Sequence, residues 1–148
     1  MLLGREQQWL DGLLNGQPTL ALPDTGSDMM FVSRKYAQSH GLKVDWGEEN
    51  HVEVEYADGS TEWTSGVARD IQWTVGSSTI VCDFHVLDDI CVDVVLSNDY
   101  LYHMEVFSAH AKHLVELMSG EDRTYLCTIR LVNNSSGQLE NAEMVVDG

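Results

Sequence analysis

Basic residues are scarce in this 148-residue chain, which carries eight Lys and Arg against 24 Asp and Glu, for a formal net charge of −16. Proteins that grip a phosphate backbone need a basic stripe or patch, and so do proteins that attach to anionic membranes. The acidic residues are instead spread along the whole sequence. We therefore expect no nucleic acid partner and no membrane attachment in this segment.

Long apolar runs are also missing. No run approaches the roughly 20 residues that a membrane-spanning helix needs, and residues 1–5 are too short for a signal peptide. We therefore expect a cytoplasmic protein.

Cysteine is scarce as well. The sequence has three, Cys82, Cys91 and Cys127, which are an odd number without CxxC spacing. That pattern favours reduced core thiols over a disulfide framework or a zinc site.

The sequence contains one weak metal-binding pattern. His103, His110 and His113 would share one face only if residues 100–117 formed a helix. Spacing of this kind arises often by chance, so it is a weak signal. We expect no metal site and no cofactor.

The sequence does contain enough apolar residues for a core. Its hydrophobic fraction is 43%, which is typical of a globular protein and not of an acidic disordered tail. The length suits one domain better than two. We therefore treat residues 1–148 as a single domain.

Alternating apolar residues predict an all-β fold. Asn15-Gly16 is a strong two-residue hairpin signal between strands at 9–14 and 17–22. Ser33 can cap a short helix that runs through His40, with Gly41 as its left-handed terminal residue. Four further segments have strand patterns, the first of them a hairpin with Asp58-Gly59 at its turn: residues 52–65, 67–75, 79–87 and 92–96.

The later part of the sequence is ambiguous. Apolar residues in 104–118 recur at spacings of three and four, which favours one long helix, but strands at 105–107 and 113–117 are an equal alternative. Residues 124–132 have a strand-like pattern. A turn at 133–137 and a last strand at 139–146 complete the prediction, and the role of residues 121–148 stays open.

An acidic residue, Asp24, interrupts an apolar stretch, and Thr25 and Gly26 follow it before apolar residues resume. An unpaired ionised carboxylate is costly to bury, so Asp24 needs a structural or chemical reason. One interpretation is a turn in which Asp24 and Thr25 bond nearby backbone and Gly26 supplies a positive φ. The other is a carboxylate that takes part in a reaction.

Taken together, three segments resemble retropepsin-type aspartic proteases, and are similar also to the retropepsin domains of eukaryotic ubiquitin-shuttle proteins. Residues 21–27, Ala-Leu-Pro-Asp-Thr-Gly-Ser, resemble the catalytic loop. Residues 57–60, Ala-Asp-Gly-Ser, resemble the tip of the flap, and residues 93–101 resemble the apolar strand and helix that support the loop. The resemblance is strongest over residues 15–102. It implies a small closed acid-protease-like barrel with one or two short helices, which dimerises.

The resemblance also implies a site in three parts. Its catalytic residues are Asp24, Thr25 and Gly26, with support from Ser27, Asp28, Val95, Leu96 and Ser97. Its flap and substrate-binding residues are Ala57, Asp58, Gly59, Ser60 and Trp63, although a packed core position is the more common role for a Trp such as Trp63.

The implied activity is peptide hydrolysis by a homodimer. With one Asp-Thr-Gly per chain, Asp24 of each protomer meets its counterpart at the two-fold axis. The ionised carboxylate would activate a water, while the protonated one would polarise the scissile carbonyl of a peptide or protein substrate. Ser27 would donate a further hydrogen bond to the carboxylate.

Three positions depart from the family pattern. Pro23 replaces an aliphatic residue, Ser97 replaces a Gly, and Asn98 stands where retroviral members carry an Arg that pairs with the residue equivalent to Asp28. These departures favour an alternative function, in which a catalytically degenerate domain dimerises or binds peptides without cleaving them.

Overall fold

Strands dominate the structure, a computed structural model in which residues 6–106, 109–118 and 129–132 are described. Two short helices accompany the strands, and two single turns of 3₁₀ helix lie at Glu48–Asn50 and Ala111–His113. The predicted all-β class is therefore confirmed. The elements in chain order are β1 (Glu6–Leu14), β2 (Gln17–Pro23), β3 (Phe31–Ser33), α1 (Arg34–Ser39), β4 (Glu53–Tyr56), β5 (Thr61–Trp63), β6 (Gly66–Val75), β7 (Ser78–Leu87), β8 (Val94–Leu96), α2 (Asn98–His103), β9 (Leu114–Met118) and β10 (Ile129–Leu131).

Six of the strands close into a barrel. The main sheet runs β2-β8-β3-β7-β6-β1-β9, and an additional pairing of β1 with β2 joins its two sides. Strand β9 then extends the sheet beyond β1 by pairing with its first half. A separate three-stranded sheet has the order β10-β4-β5. The predicted closed barrel with two short helices is thus confirmed.

The local turn and capping signals lie where the sequence predicts them. Asn15 and Gly16 adopt φ values of 50° and 83°, the left-handed pair that a tight hairpin turn requires. The Ser33 hydroxyl accepts a hydrogen bond from the Tyr36 N–H at 2.9 Å and caps α1. Gly41 follows the helix with a φ of 66°.

Residues 104–118 do not form the long helix that their spacing favours. Helix α2 ends at His103, and Glu105 takes a φ of 52°, which no α-helix accommodates. Strand β9 then pairs antiparallel with β1. The helix prediction was wrong, and the alternative strand near 113–117 is confirmed. The other alternative strand is not formed over 105–106, where the backbone turns, and Phe107 lies outside the described residues.

Within the predicted strand 124–132, the structure contains β10 at its end, and the remainder lies outside the described residues. The predicted turn at 133–137 and the last strand at 139–146 also lie outside them.

The cysteines differ in environment. Cys82 packs against the barrel core, and burial raises the pKa of its thiol to about 12, as expected for an inert core thiol. Cys91 is exposed, so the core prediction was wrong there, because the residue lies in the loop between β7 and β8. Cys127 lies outside the described residues.

Among the described helices, none is long and apolar enough to span a membrane.

The barrel core is organised around Trp73, whose side chain is fully buried. Its indole Nε1–H donates a hydrogen bond to the Tyr100 hydroxyl at 3.0 Å, which ties β6 to α2. Burial raises the pKa of Tyr100 to about 12, so this hydroxyl stays protonated at ordinary pH. Because α2 follows β8 directly, the same bond positions the end of β8.

We expect Tyr100→Phe to lower the free energy of unfolding by about 1–3 kcal/mol, because it leaves the buried indole N–H without an acceptor. Urea denaturation monitored by tryptophan fluorescence measures the change. Tyr102→Phe is the matched control, since it removes the same hydroxyl from a side chain that is 88% exposed. Equal effects of the two substitutions would contradict a structural role for the Trp73 bond.

Candidate active site

The loop that contains Asp24 rests on strand β8. Strand β2 runs parallel to β8, with Leu22 opposite Val95 and Pro23 opposite Leu96. The Asp24 N–H then donates to the Leu96 carbonyl at 3.1 Å. Val95 and Leu96 are fully buried, so the loop lies on a strand that is packed on both faces. Of the predicted supporting residues, Leu96 therefore bonds Asp24 directly, and Val95 pairs with Leu22 on the strand that leads to it.

The residues Asp24 to Ser27 form a compact turn. The Asp24 carboxylate accepts a hydrogen bond from the Gly26 N–H at 2.9 Å, and the Asp24 carbonyl accepts one from the Ser27 N–H at 3.0 Å. This bonding matches the turn interpretation of the sequence. Its predicted positive φ at Gly26 was wrong, since the described glycines with positive φ are Gly16, Gly41, Gly59 and Gly76. Asp24 nevertheless remains partly exposed, and Thr25 is exposed.

A second link joins the loop to the start of α2. The Asn98 N–H donates to the carbonyl of the buried Ser27 at 3.0 Å. Ser97 is also buried, and its hydroxyl accepts a hydrogen bond from the Tyr100 N–H at 3.3 Å. The Ser97 side chain thus caps the helix. The proposed hydrogen bond from the Ser27 hydroxyl to the Asp24 carboxylate stays a prediction.

Asp28 contacts a segment that the sequence did not link to the site. Its N–H donates to the Ile129 carbonyl at 2.8 Å, and its Oδ2 accepts from the Leu131 N–H at 2.8 Å. Strand β10 therefore lies against Asp28, four residues after Asp24. The available signal was the alternation of apolar Ile129 and Leu131 around Arg130, which predicts a strand but not its partners.

The β4–β5 hairpin presents an exposed tip. Ala57, Asp58, Gly59 and Ser60 are all exposed, and Gly59 has a φ of 90°. The Asp58 Oδ1 accepts from the Ser60 hydroxyl at 2.6 Å and from its N–H at 2.9 Å. These hydrogen bonds, with that of the side chain foremost, lower the pKa of Asp58. Hydrogen bonds between Asp58 and Ser60 therefore stabilise the turn at the tip.

Trp63 lies at the end of β5 and is 59% exposed, so its interpretation as a core residue was wrong. Trp73 occupies the core instead. Trp63 lines an open surface groove with Trp46 and Arg34, whose guanidinium lies 4.6 Å from the centre of the Trp46 ring. The position leaves Trp63 accessible to a ligand.

Metal ligands do not cluster in the described part of the chain, where no group of three or more His, Cys, Asp or Glu side chains is placed to hold an ion. The rings of His110 and His113 lie 6.1 Å apart between centroids. His103 ends α2, so the three histidines do not share the helix on which their spacing depended.

Comparisons with known proteins show the family and the fold. Residues 10–100 match the family model described as aspartyl protease. The retroviral protease-like domain of Ddi1 from Leishmania major is 13% identical with a TM-score of 0.51, and the alignment covers 87% of this chain and 98% of that one. The EIAV protease in complex with the inhibitor HBY-793 is 16% identical with a TM-score of 0.53, over 71% of this chain and 93% of that one. The search of curated proteins finds no match.

A closed barrel with an Asp-Thr-Gly loop over a buried strand defines the class of retropepsin-like folds, and the similar solved structures share that fold. The chain belongs to the aspartyl protease family, because the family model matches more than half of its residues. The predicted family resemblance is thus confirmed.

Substitution of Ser97 tests how its hydroxyl is used. We expect Ser97→Ala to lower the free energy of unfolding by about 1 kcal/mol, and Ser97→Gly by only a few tenths, because Gly tolerates the capping position better than Ala. Urea denaturation measures both. Ser33→Ala, which removes the equivalent cap from α1, is the matched control and should resemble Ser97→Ala. Greater stability of Ser97→Gly than of the wild type would show that the Ser97 side chain strains the loop.

His85 lies on β7, where its backbone N–H donates to the Met30 carbonyl at 2.9 Å. Burial lowers the pKa of His85, although Asp83 opposes the shift. Among the described residues, none forms a hydrogen bond with the ring Nδ1. The neutral imidazole is therefore the form that the fold accommodates.

Lower pH should consequently weaken the fold through His85. Below about pH 6.5 the ring is protonated more fully in the unfolded chain than in the folded chain, so stability falls as the pH drops. We expect the stability of His85→Leu relative to the wild type to increase from pH 7 to pH 5, measured by urea denaturation. A difference that is independent of pH over this range would contradict the buried neutral imidazole.

Proposed function

We propose that the protein is an aspartic endopeptidase that hydrolyses peptide bonds as a homodimer. Each protomer supplies one Asp24, and the two carboxylates form the catalytic pair. The observation that carries the proposal is the position of Asp24, which is held by the Leu96 carbonyl at the end of a buried strand yet remains partly exposed. The aspartyl protease family supports the same class of chemistry.

The chemistry follows from two carboxylates at close range. Such a pair holds one proton, because both groups cannot ionise side by side. The ionised Asp24 takes a proton from a water, whose oxygen attacks the scissile carbonyl carbon, while the protonated Asp24 donates to the carbonyl oxygen. Collapse of the tetrahedral intermediate breaks the C–N bond, and the amine leaves with a proton from the pair.

The neighbouring residues have supporting roles in this proposal. The Gly26 N–H, 2.9 Å from the Asp24 carboxylate, orients that carboxylate by a hydrogen bond to its Oδ1. Thr25 is exposed next to it, which suits a hydrogen bond to the loop of the second protomer. The β4–β5 hairpin, with residues 57–60 at its tip and the exposed Trp63 at its base, covers an extended peptide as a flap.

A peptide-binding domain without catalysis is the second candidate. Pro23, Ser97 and Asn98 favour it, because each departs from the pattern of active relatives at a position that touches the loop. Asn98 contributes only its backbone N–H to Ser27, while Asp28 bonds the Leu131 N–H. Both candidates bind peptides, so only a cleavage assay separates them.

Replacement of the catalytic carboxylate is the direct test. We expect Asp24→Asn to lower kcat for peptide or casein cleavage by at least about 1,000-fold between pH 3 and 7, because neither the base nor the acid can form. Pepstatin should inhibit the wild type. Sedimentation should give the mass of a dimer for both proteins.

Asp11→Asn is the matched control, since Asp11 is an exposed carboxylate on β1 away from the loop. It should cleave at the wild-type rate. A wild-type dimer that cleaves no substrate at any pH would contradict the protease and support the binding domain. A stable monomer with activity would contradict the shared pair.

A further inference from the structure

Strand β10 is bonded along both of its edges. It pairs antiparallel with β4, and the Val132 N–H donates to the Glu53 carbonyl at 2.9 Å. On the other edge, the Ile129 carbonyl and the Leu131 N–H both bond Asp28 at 2.8 Å. Successive residues of a strand direct their backbone groups to opposite edges, so this division is regular. The strand therefore lies between the catalytic loop and the hairpin.

The side chains of β10 alternate in the same way. Ile129 is fully buried in a small apolar cluster that is separate from the barrel core, whereas Arg130 is exposed. Two members of that cluster lie close to Asp24: Leu22 comes two residues before it on β2, and Val95 is the partner of Leu22 on β8. Val54 of the β4–β5 hairpin belongs to the same cluster as Ile129. The Ile129 side chain thus fills a space between the hairpin and the strands next to Asp24, and we call this space the Ile129 pocket.

We infer that Ile129–Leu131 is an internal ligand, which occupies the peptide-binding groove of its own chain and must leave before an extended peptide can bind. The groove would accept a peptide with an aliphatic side chain in place of Ile129 and backbone hydrogen bonds to Asp28 and β4. The groove's role in substrate binding rests on the proposed function. The occupation itself rests on the two hydrogen-bonded edges and the buried Ile129.

An internal ligand lowers apparent affinity in proportion to the time for which it fills the site. If the groove is open for about 1–10% of the time, the apparent Kd of an added peptide is about 10- to 100-fold above its intrinsic value. A substitution that displaces β10 without altering Asp28 or β4 should lower the apparent Kd of the added peptide by the same factor.

The test uses a fluorescent hexapeptide with the sequence Thr-Ile-Arg-Leu-Val-Asn of residues 128–133, added to the full chain. All proteins carry Asp24→Asn so that cleavage cannot consume the probe. We expect Ile129→Asn to bind the peptide about 10- to 100-fold more tightly than its parent, because a buried amide destabilises the bound strand. Fluorescence anisotropy measures the Kd.

Arg130→Asn is the matched control, since it introduces the same residue at the neighbouring exposed position. It should leave the Kd at the parental value. Equal affinities for Ile129→Asn and Arg130→Asn would contradict the inference. So would tighter binding of a control hexapeptide in which Asn replaces Ile, because the pocket should reject it.

Leu131→Pro provides a second route, because proline lacks the N–H that bonds Asp28 but leaves Ile129 in place. It should also tighten peptide binding. Circular dichroism reports whether the barrel remains folded. If both Ile129→Asn and Leu131→Pro unfold the domain, β10 is a required structural strand and the inference fails.

The cleavage assay keeps this inference separate from the proposed function. Tighter peptide binding by Ile129→Asn, together with no cleavage by any chain that retains Asp24, would refute the protease and leave the internal ligand in place. Cleavage by the wild type with no affinity difference among the variants would refute the internal ligand and leave the protease in place.

Discussion

The hydrogen bond from the Asp24 N–H to the Leu96 carbonyl is the constraint on which the site depends. It continues the parallel pairing of β2 with β8 by one residue, at the point where the β2 strand ends. Strand β8 cannot shift, because all three of its residues are fully buried and α2 begins directly after it. The backbone of Asp24 is therefore held in position by a strand of the core.

The hairpin and the loop are linked through the same short strand. Strand β10 joins β4 by backbone pairing and joins Asp28 by two hydrogen bonds. A peptide that replaces β10 would restore both links, so the exchange need not leave the hairpin unsupported. This equivalence is what makes an internal ligand physically reasonable. Its intrinsic affinity need not exceed that of a free peptide, since it acts at the high effective concentration of a tethered segment.

Local signals in the sequence were enough for much of the fold. Asn15-Gly16 predicted its hairpin because only a few residue types adopt two successive positive φ angles, and Ser33 predicted its helix through a single capping bond. Asp24 and the β8 segment were predicted together from the family resemblance. In each case the residues that predict the structure lie within a few positions of it, or belong to a known family motif.

Signals that depend on distant partners were misleading. In 104–118, Met104 and Val106 lie in a turn and Leu114 begins β9, yet all three contact the same barrel core. Their spacing was therefore not that of one helix. Trp63 is exposed because β5 lies at the edge of its sheet, which no local pattern reveals. Strand β10 was recognisable, but its pairing with β4 and Asp28 joins residues far apart in the chain.

A mixing experiment tests most directly whether two chains share one catalytic pair. Wild-type protein is allowed to exchange subunits with an equal amount of Asp24→Asn, and peptide cleavage is then measured. With one Asp24 required from each chain, only about a quarter of the dimers keep both, so activity per total protein should fall to about a quarter of the wild-type value. A fall to about half, as expected when each chain carries its own complete site, would contradict the shared pair.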